Sequence, residues 1–334
     1  MNITNTYPKV TLKMATAEQI KALIKSHFSD DKERFYTISL QLAAHESRQG
    51  HQAIAKAIRD IVDKGRQQKN ASIIPFPGEL QGLVLTEAPE TPKSAMVMPE
   101  ALEKRIHRII HEYRQKNKLK AHGLQHRRKI LLSGPPGTGK TMTARVLAKE
   151  LDLKLHTIQV DRLVTKFMGE TSAKLRQIFD MIKQVHGIYF FDEFDAIGAE
   201  RSMDNDVGEM RRVLNAFLQF IEQDHSDSMI IAATNNPKLL DSALFRRFED
   251  VLNYRLPEEK ERQALIKNIM GTFMDTRFAW KNVLSLSKGL SHAEIDYACK
   301  DTIKEIILSG KTKANATLLS RSLKERQNSN SWRI

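Results

Sequence analysis

The stretch best equipped for chemistry is Gly134-Pro135-Pro136-Gly137-Thr138-Gly139-Lys140-Thr141. Its glycines let successive backbone N–H groups turn toward one point, a geometry that suits phosphate oxygens. Lys140 supplies a cation able to reach β- and γ-phosphates, and the Thr141 hydroxyl is a hard oxygen donor for Mg²⁺. Met142 follows directly and joins the expected nucleotide contacts. A second cluster closes the apolar run Ile188-Tyr189-Phe190-Phe191, which ends in Asp192-Glu193. Asp192 is placed to hold Mg²⁺ with Thr141, and Glu193 to polarise a water for in-line attack on a γ-phosphate. The chemistry expected is Mg²⁺-dependent nucleotide hydrolysis. No Asn-Lys-x-Asp string occurs to read a guanine, so ATP is the expected nucleotide.

These residues need rigid elements to position them. Lys129–Ser133 reads as a buried strand before the glycine-rich turn, and a helix begins near Lys140. Further strands are predicted at 155–159, 188–191 and 229–233, each separated by helical sequence. Such alternation implies an α/β fold with a doubly wound parallel sheet, the P-loop nucleotidase arrangement. A basic helix is expected at 100–118 and flexible sequence at 200–208, with a helix starting at Glu209. Beyond Pro257 only helical patterns remain. Upstream, residues 16–66 carry three amphipathic runs, with Ile20, Leu23 and Phe28, then Phe35, Ile38 and Leu42, then Ile54, Ile58, Ile61 and Val62. The expected organisation is a helical N-terminal domain at 1–70, a Pro- and Gly-rich linker at 71–98 with one short strand near 83–85, an α/β subdomain at 99–256 and a helical small subdomain at 257–334.

Of 334 residues 41% are hydrophobic and 28% charged, ordinary values for a globular chain. No apolar run approaches the roughly 20 residues of a membrane span, and the first residues do not read as a secretory signal. Cys299 is the single cysteine, which excludes an internal disulfide and suits a reducing, cytoplasmic compartment. The net charge of +13 points to acidic partners. Much of it lies between Lys104 and Lys129, where Glu112 is the one acid. Tyr113 is the one aromatic there, where base stacking would use several, so nucleic acid is open as a partner but not indicated.

Ile230-Ile231-Ala232-Ala233-Thr234-Asn235-Asn236-Pro237, followed by Leu240-Asp241-Ser242-Ala243-Leu244-Phe245-Arg246-Arg247-Phe248, resembles the second region of homology of AAA ATPases. The GPPGTGKT and FFDEFD strings match the same family, and the likeness covers about 98–308. The resemblance implies that Asn235 acts as the sensor that positions the attacking water. It also implies that Arg246 and Arg247 are arginine fingers, supplied to the neighbouring subunit of a ring or spiral, in the family usually a hexamer. Their adjacency is similar to the katanin and spastin branch, a form shared by small bacterial AAA ATPases. The short helical N-terminus is similar to that branch's microtubule-interacting-and-trafficking domain. Lys166-Phe167-Met168-Gly169 resembles the first pore loop, in which an aromatic grips a peptide by apolar contact. Glu209-Met210-Arg211-Arg212 resembles a run that supports the subunit interface. The chain departs from the pattern at His292, in Gly289-Leu290-Ser291-His292-Ala293-Glu294-Ile295, where the family has a glycine near the adenine.

Three functions remain open on the sequence. The first is a motor that remodels or threads proteins, with the N-terminal domain engaging a substrate or adaptor. The second is the motor of a separate protease, because neither a His-Glu-x-x-His nor a Gly-x-Ser-x-Gly string occurs. The third is an ATPase associated with nucleic acid.

Overall fold

The computed structural model describes residues 32–70, 80, 82–166, 170–198, 204–240 and 242–330, with isolated helical positions at Lys21, Leu23, Ile24 and Ser26. It divides into two compact units, Met1–Pro75 and Phe76–Ile334. In the first, α1 (Lys32–Arg48) and α2 (Gln52–Asn70) pack against each other. Gly50, at φ +87°, makes the turn between them. Ile38, Ala43, Ala55 and Val62 are buried. Of the expected stripe of the third run, Ile58 and Val62 face inward together with Ala55, whereas Ile54 and Ile61 are 52% and 71% exposed. Most of the first expected helix lies outside the described residues.

The second unit runs β1 (Val84–Glu87), α3 (Glu100–Arg114), α4 (Lys116–Ala121), β2 (Lys129–Ser133), α5 (Lys140–Leu151), β3 (Leu155–Gln159), α6 (Val160–Lys166), α7 (Thr171–Gln184), β4 (Ile188–Asp192), α8 (Asp195–Gly198), α9 (Asp204–Gln223), β5 (Met229–Thr234), α10 (Ser242–Phe245) and β6 (Asp250–Asn253). Four helices follow: α11 (Glu259–Met270), α12 (Trp280–Leu286), α13 (His292–Leu308) and α14 (Ala316–Asn330). The sheet order is β1-β3-β4-β5-β2-β6. All neighbours are parallel except β1, which runs antiparallel to β3 with Val84 opposite Ile158.

The central strands are covered on both faces, which is why they are apolar at almost every position. Tyr189 and Phe191 of β4 pack toward Phe179 of α7 and Phe217 of α9, the Phe191 and Phe217 rings meeting edge-on at 5.2 Å. Ile188 and Phe190 join the opposite layer with Ile106 of α3 and Leu147 of α5. Because β2, β4 and β5 are parallel, Ser133, Asp192 and Thr234 all end at one edge of the sheet. That edge carries the site.

The helical end has its own core, built on Leu265, Ile266, Ala298, Cys299, Leu319 and Leu323. Burial pushes the Cys299 thiol up to about 12, so it is a packing group rather than a nucleophile. The guanidinium of buried Arg262 donates to the Pro257 carbonyl at 2.9 Å and to Ser287 Oγ at 3.1 Å, which satisfies its charge inside this core.

Several expectations change. Part of the segment expected as a linker enters the second unit, where β1 joins the sheet and Leu80 and Leu83 join its core. β6, unforeseen, forms the far edge; its Asp250 is buried beside Arg105 and lies 3.6 Å from Arg108. The helix expected at 100–118 breaks at Gln115 into α3 and α4, and α9 starts at Asp204 rather than Glu209.

The basic stretch is largely neutralised within the chain. Besides Arg105 and Arg108, Arg114 pairs with Glu150 at 3.0 Å, Lys120 with Asp227 at 2.7 Å and Arg127 with Glu112 at 3.1 Å. Arg128 pairs with buried Asp224. Among the described residues no helix is long and apolar enough to cross a membrane.

Candidate functional site

The glycine-rich turn occupies the gap between β2 and α5 and is fixed at both ends. Gly134 N–H donates to the Thr234 carbonyl at 3.3 Å, tying the turn to the end of β5. Gly134 sits at φ +149°, and a Cβ there would lie 2.3 Å from the Tyr254 carbonyl oxygen, so the position excludes every other residue. Thr138 Oγ1 staples the loop to the Pro135 carbonyl at 2.7 Å. Gly139 caps α5 in a left-handed conformation at φ +101°, and the free N–H groups of the helix's first turn lie at the loop. Lys140 Nζ donates to the Gly134 and Pro135 carbonyls at 2.7 and 2.8 Å. Burial brings its pKa down to about 8, partly opposed by Asp192 and Asp195.

Asp192 ends β4 beside this loop. Thr141 Oγ1 donates to Asp192 Oδ2 at 3.3 Å, and the Glu193 N–H donates to Oδ1 at 3.0 Å. Glu193 adopts φ +52°, a conformation non-glycine residues rarely hold without cause. The next residue explains how it is held: Phe194 is buried and its N–H donates to the Ala233 carbonyl at 2.8 Å. Burial raises the carboxyl pKa of Asp192, against hydrogen bonds from Glu193 N–H and Thr141. Burial also raises Glu193, with repulsion from Asp192, Asp161 and Asp195 adding to it.

One cavity of about 240 Å³ is lined by Pro136, Gly137, Gly139, Lys140, Thr141, Met142, Asp192, Glu193 and Asn235. Residues expected from separate stretches of sequence thus converge on one space, while Gly134, Pro135 and Thr138 shape the loop behind it. Asp195 is a functional group that sequence reasoning missed. Its Oδ1 accepts the Asn235 backbone N–H at 3.2 Å and so fixes the residue that follows β5. The signal was present as the last acid of FFDEFD. Tyr254 was also missed; its hydroxyl meets Thr143 Oγ1 at 2.6 Å and its N–H donates to the Ser133 carbonyl at 2.7 Å.

The donor set fits a magnesium ion. Thr141 and Asp192 offer hard oxygens at hydrogen-bond distance from each other, and the carboxylates of Asp192 and Asp195 both act on the Lys140 ammonium. Among the described residues no group of three or more His, Cys, Asp or Glu forms a metal cage. A cation here would draw the rest of its shell from phosphate oxygens and water.

The helical subdomain closes over the loop. Ser291 caps α13 with Glu294 in a reciprocal capping box, and Ala293 N–H donates to the Gly137 carbonyl at 3.0 Å. A Cβ on Gly137 would lie 2.7 Å from Ser291 Oγ. His292 is the first residue of that helix. Burial lowers its pKa, opposed by Glu261 and by a backbone contact with Val97.

Other expected site residues stand elsewhere. Arg246 and Arg247 lie on the turn after α10 and are not among the residues lining the cavity. Lys166 is the last residue of α6, and Arg211 and Arg212 lie within α9. Phe167 and Met168 lie outside the described residues.

A phosphate-cradling loop between strand and helix, with an acid pair at the end of a parallel strand one place removed in the sheet, defines a P-loop nucleotidase. Comparison with known proteins narrows the class. Residues 130–256 match the model of the ATPase family associated with various cellular activities (AAA). The chain is 31% identical over 327 residues to an uncharacterized AAA family ATPase, y4kL, of Sinorhizobium fredii, covering 93% of this chain and 96% of that one. It is 33% identical over 187 residues to a proteasome-activating nucleotidase of Methanoregula boonei, covering 54% of this chain and 43% of the relative. It is 34% identical over 175 residues to the ATP-dependent zinc metalloprotease FtsH of Mesoplasma florum, covering 50% and 27%. The chain belongs to the AAA family of ATPases; it binds and hydrolyses ATP.

Proposed function

We propose that this ATPase works as a ring or spiral in which each subunit holds a nucleotide site that a neighbour completes.

 

The assembly is a head-to-tail oligomer of this chain, in which hydrolysis drives the threading or remodelling of a protein substrate. The observation that carries this reading is the separation within one chain. Lys140, Thr141, Asp192, Glu193 and Asn235 share the cavity, whereas Arg246 and Arg247 sit on a turn outside it. An arginine that stabilises transferring phosphoryl charge has to reach that cavity, and a neighbouring copy can supply it.

The geometry supports the following roles. The loop N–H groups and Lys140 bind the phosphates. Thr141 and Asp192 would hold Mg²⁺, which would supply charge neutralisation for the phosphates. Glu193 accepts a proton from the attacking water, and its raised pKa brings it toward that task. Asn235, fixed by Asp195, orients that water. Movement of the helical subdomain is coupled to the site through the Ala293–Gly137 bond, because any shift of α13 pulls on the phosphate loop. Phe167 of the expected pore loop is the group that would grip an extended peptide, by apolar contact area rather than sequence.

The test separates hydrolysis from work. Phe167→Ala is expected to keep basal ATPase and lose remodelling of a captured substrate, and retained remodelling would count against threading. Glu193→Gln, used as a nucleotide-bound trap in a pull-down, identifies the substrate. A second reading has one observation in its favour: a relative carries the name proteasome-activating nucleotidase. On that reading a separate peptidase joins the ring, and it would appear in the same pull-down.

A further inference from the structure

The two adjacent arginines do not occupy equivalent positions. Leu244 and Phe248 are buried and Phe245 packs against the same core, so the turn at 246–247 is anchored on both sides by apolar side chains. Arg247 N–H donates to the Leu244 carbonyl at 3.0 Å, which closes the turn. Its Nε lies 2.6 Å from Glu222 Oε1, off the ideal N–H direction, as an ion pair with side chains 33% and 54% exposed. Glu222 stands on the last turn of α9, a helix whose Val213, Phe217 and Ile221 are buried in the core that also holds Leu244. The carboxylate is thus mounted on a rigid element and draws Arg247 back onto its own subunit. Arg246 is exposed and forms no ion pair or hydrogen bond among the described residues.

We propose that the pair divides its work: Arg246 enters the neighbouring subunit's nucleotide site, while Arg247, clamped by Glu222, is a positioning residue that fixes the turn presenting Arg246. This rests on the reading that the site is completed by a neighbouring copy. Arg246 is free to leave the surface of its subunit without breaking an existing ion pair. Arg247 would first have to give up Glu222. The clamp is modest, since an exposed ion pair is worth about 1 kcal/mol at most, or roughly fivefold in rate if it acts only through geometry. The finger is not modest, because removing a trans arginine costs on the order of 10³-fold in turnover.

The experiment is steady-state ATPase of the assembled full chain, with assembly checked by light scattering and folding by urea denaturation. Arg246→Ala is expected to lower kcat on the order of 10³-fold with nucleotide affinity unchanged, since its own cavity is intact. Arg247→Ala and Glu222→Ala are each expected to lower kcat roughly fivefold. The reversed pair, Glu222→Arg with Arg247→Glu, is expected to recover most of that loss, which a directly acting Arg247 could not allow. The proposal is overturned if the reversed pair is as inactive as Arg246→Ala, if Arg246→Ala turns over normally, or if Arg247→Ala has no effect. Complementation by a variant lacking both arginines reads the neighbouring-copy premise separately, so the two failures are distinguishable.

Discussion

Replacing Asp195 by alanine removes a side chain that is expected to touch neither nucleotide nor metal, yet turnover should fall. Asp195 Oδ1 accepts the Asn235 N–H at 3.2 Å, the contact that joins the turn after β4 to the end of β5. A hydrogen bond to a charged group contributes about 1.5–3 kcal/mol. Without it Asn235 loses its fixed place in the wall of the cavity, and small misplacements of orienting groups cost up to ~10²-fold. The expected result for Asp195→Ala is a decrease in kcat of roughly 10- to 100-fold with ATP affinity within about twofold of the parent. Asp195→Asn keeps an oxygen acceptor and should recover most of the rate. The assay is coupled-enzyme ATPase for kcat and KM, with equilibrium binding of a fluorescent ADP analogue as the control. Unchanged turnover in Asp195→Ala, or an equally damaged Asp195→Asn, would refute the positioning argument.

Lys140 has a pKa of about 8 in the nucleotide-free site, and phosphate favours its charged form. Nucleotide affinity should therefore fall as pH rises above 8, with proton uptake on binding growing from about half a proton at pH 8 toward one at higher pH; calorimetry in buffers of different ionisation enthalpy measures that uptake. His156, buried between Thr86 and Tyr189, has its pKa brought down to about 4 by burial, below the ordinary 6.5. The folded state disfavours its protonation, so this contribution is full above pH 6.5 and is lost as pH falls from 6.5 toward 4. The loss reaches about 3 kcal/mol, and urea midpoints across that window should lose part of their slope in His156→Phe. Gly134→Ala places a methyl group 2.3 Å from the Tyr254 carbonyl. It should destabilise the second unit by about 3 kcal/mol or more and abolish nucleotide binding, and a wild-type denaturation midpoint would contradict the packing argument.

What could be read from sequence was local. The strands around the site are short apolar runs buried on both faces, and the phosphate loop is a contiguous string, so neither needs knowledge of distant partners. β6 escaped because Asp250-Val251-Leu252-Asn253 is polar at both ends, and its burial of Asp250 depends on arginines of α3 far away in sequence. The same distance hid the neutralisation of the basic stretch: within Lys104–Lys129 only Glu112 is visible, whereas Asp224, Asp227 and Asp250 arrive from later elements. The inward face of α2 is the expected one at Ile58 and Val62 but not at Ile54 and Ile61, which are more apolar than Ala55, yet the small residue takes the close helix contact. Asn235 could be named from its motif, but the Asp195 contact that fixes it required the parallel registry of β4 and β5.

The central claim is that one chain carries an incomplete catalytic site. The direct measurement mixes two inactive variants, Lys140→Ala, which cannot hold phosphate, and Arg246→Ala/Arg247→Ala, which has an intact cavity but no finger. In a head-to-tail assembly, random pairing at equal amounts places an intact cavity beside an intact arginine at roughly a quarter of the interfaces. ATPase activity is predicted to reappear on mixing, near that fraction of the wild-type rate. A mixture that stays as inactive as its components, although light scattering shows the two variants co-assembled, would contradict the account.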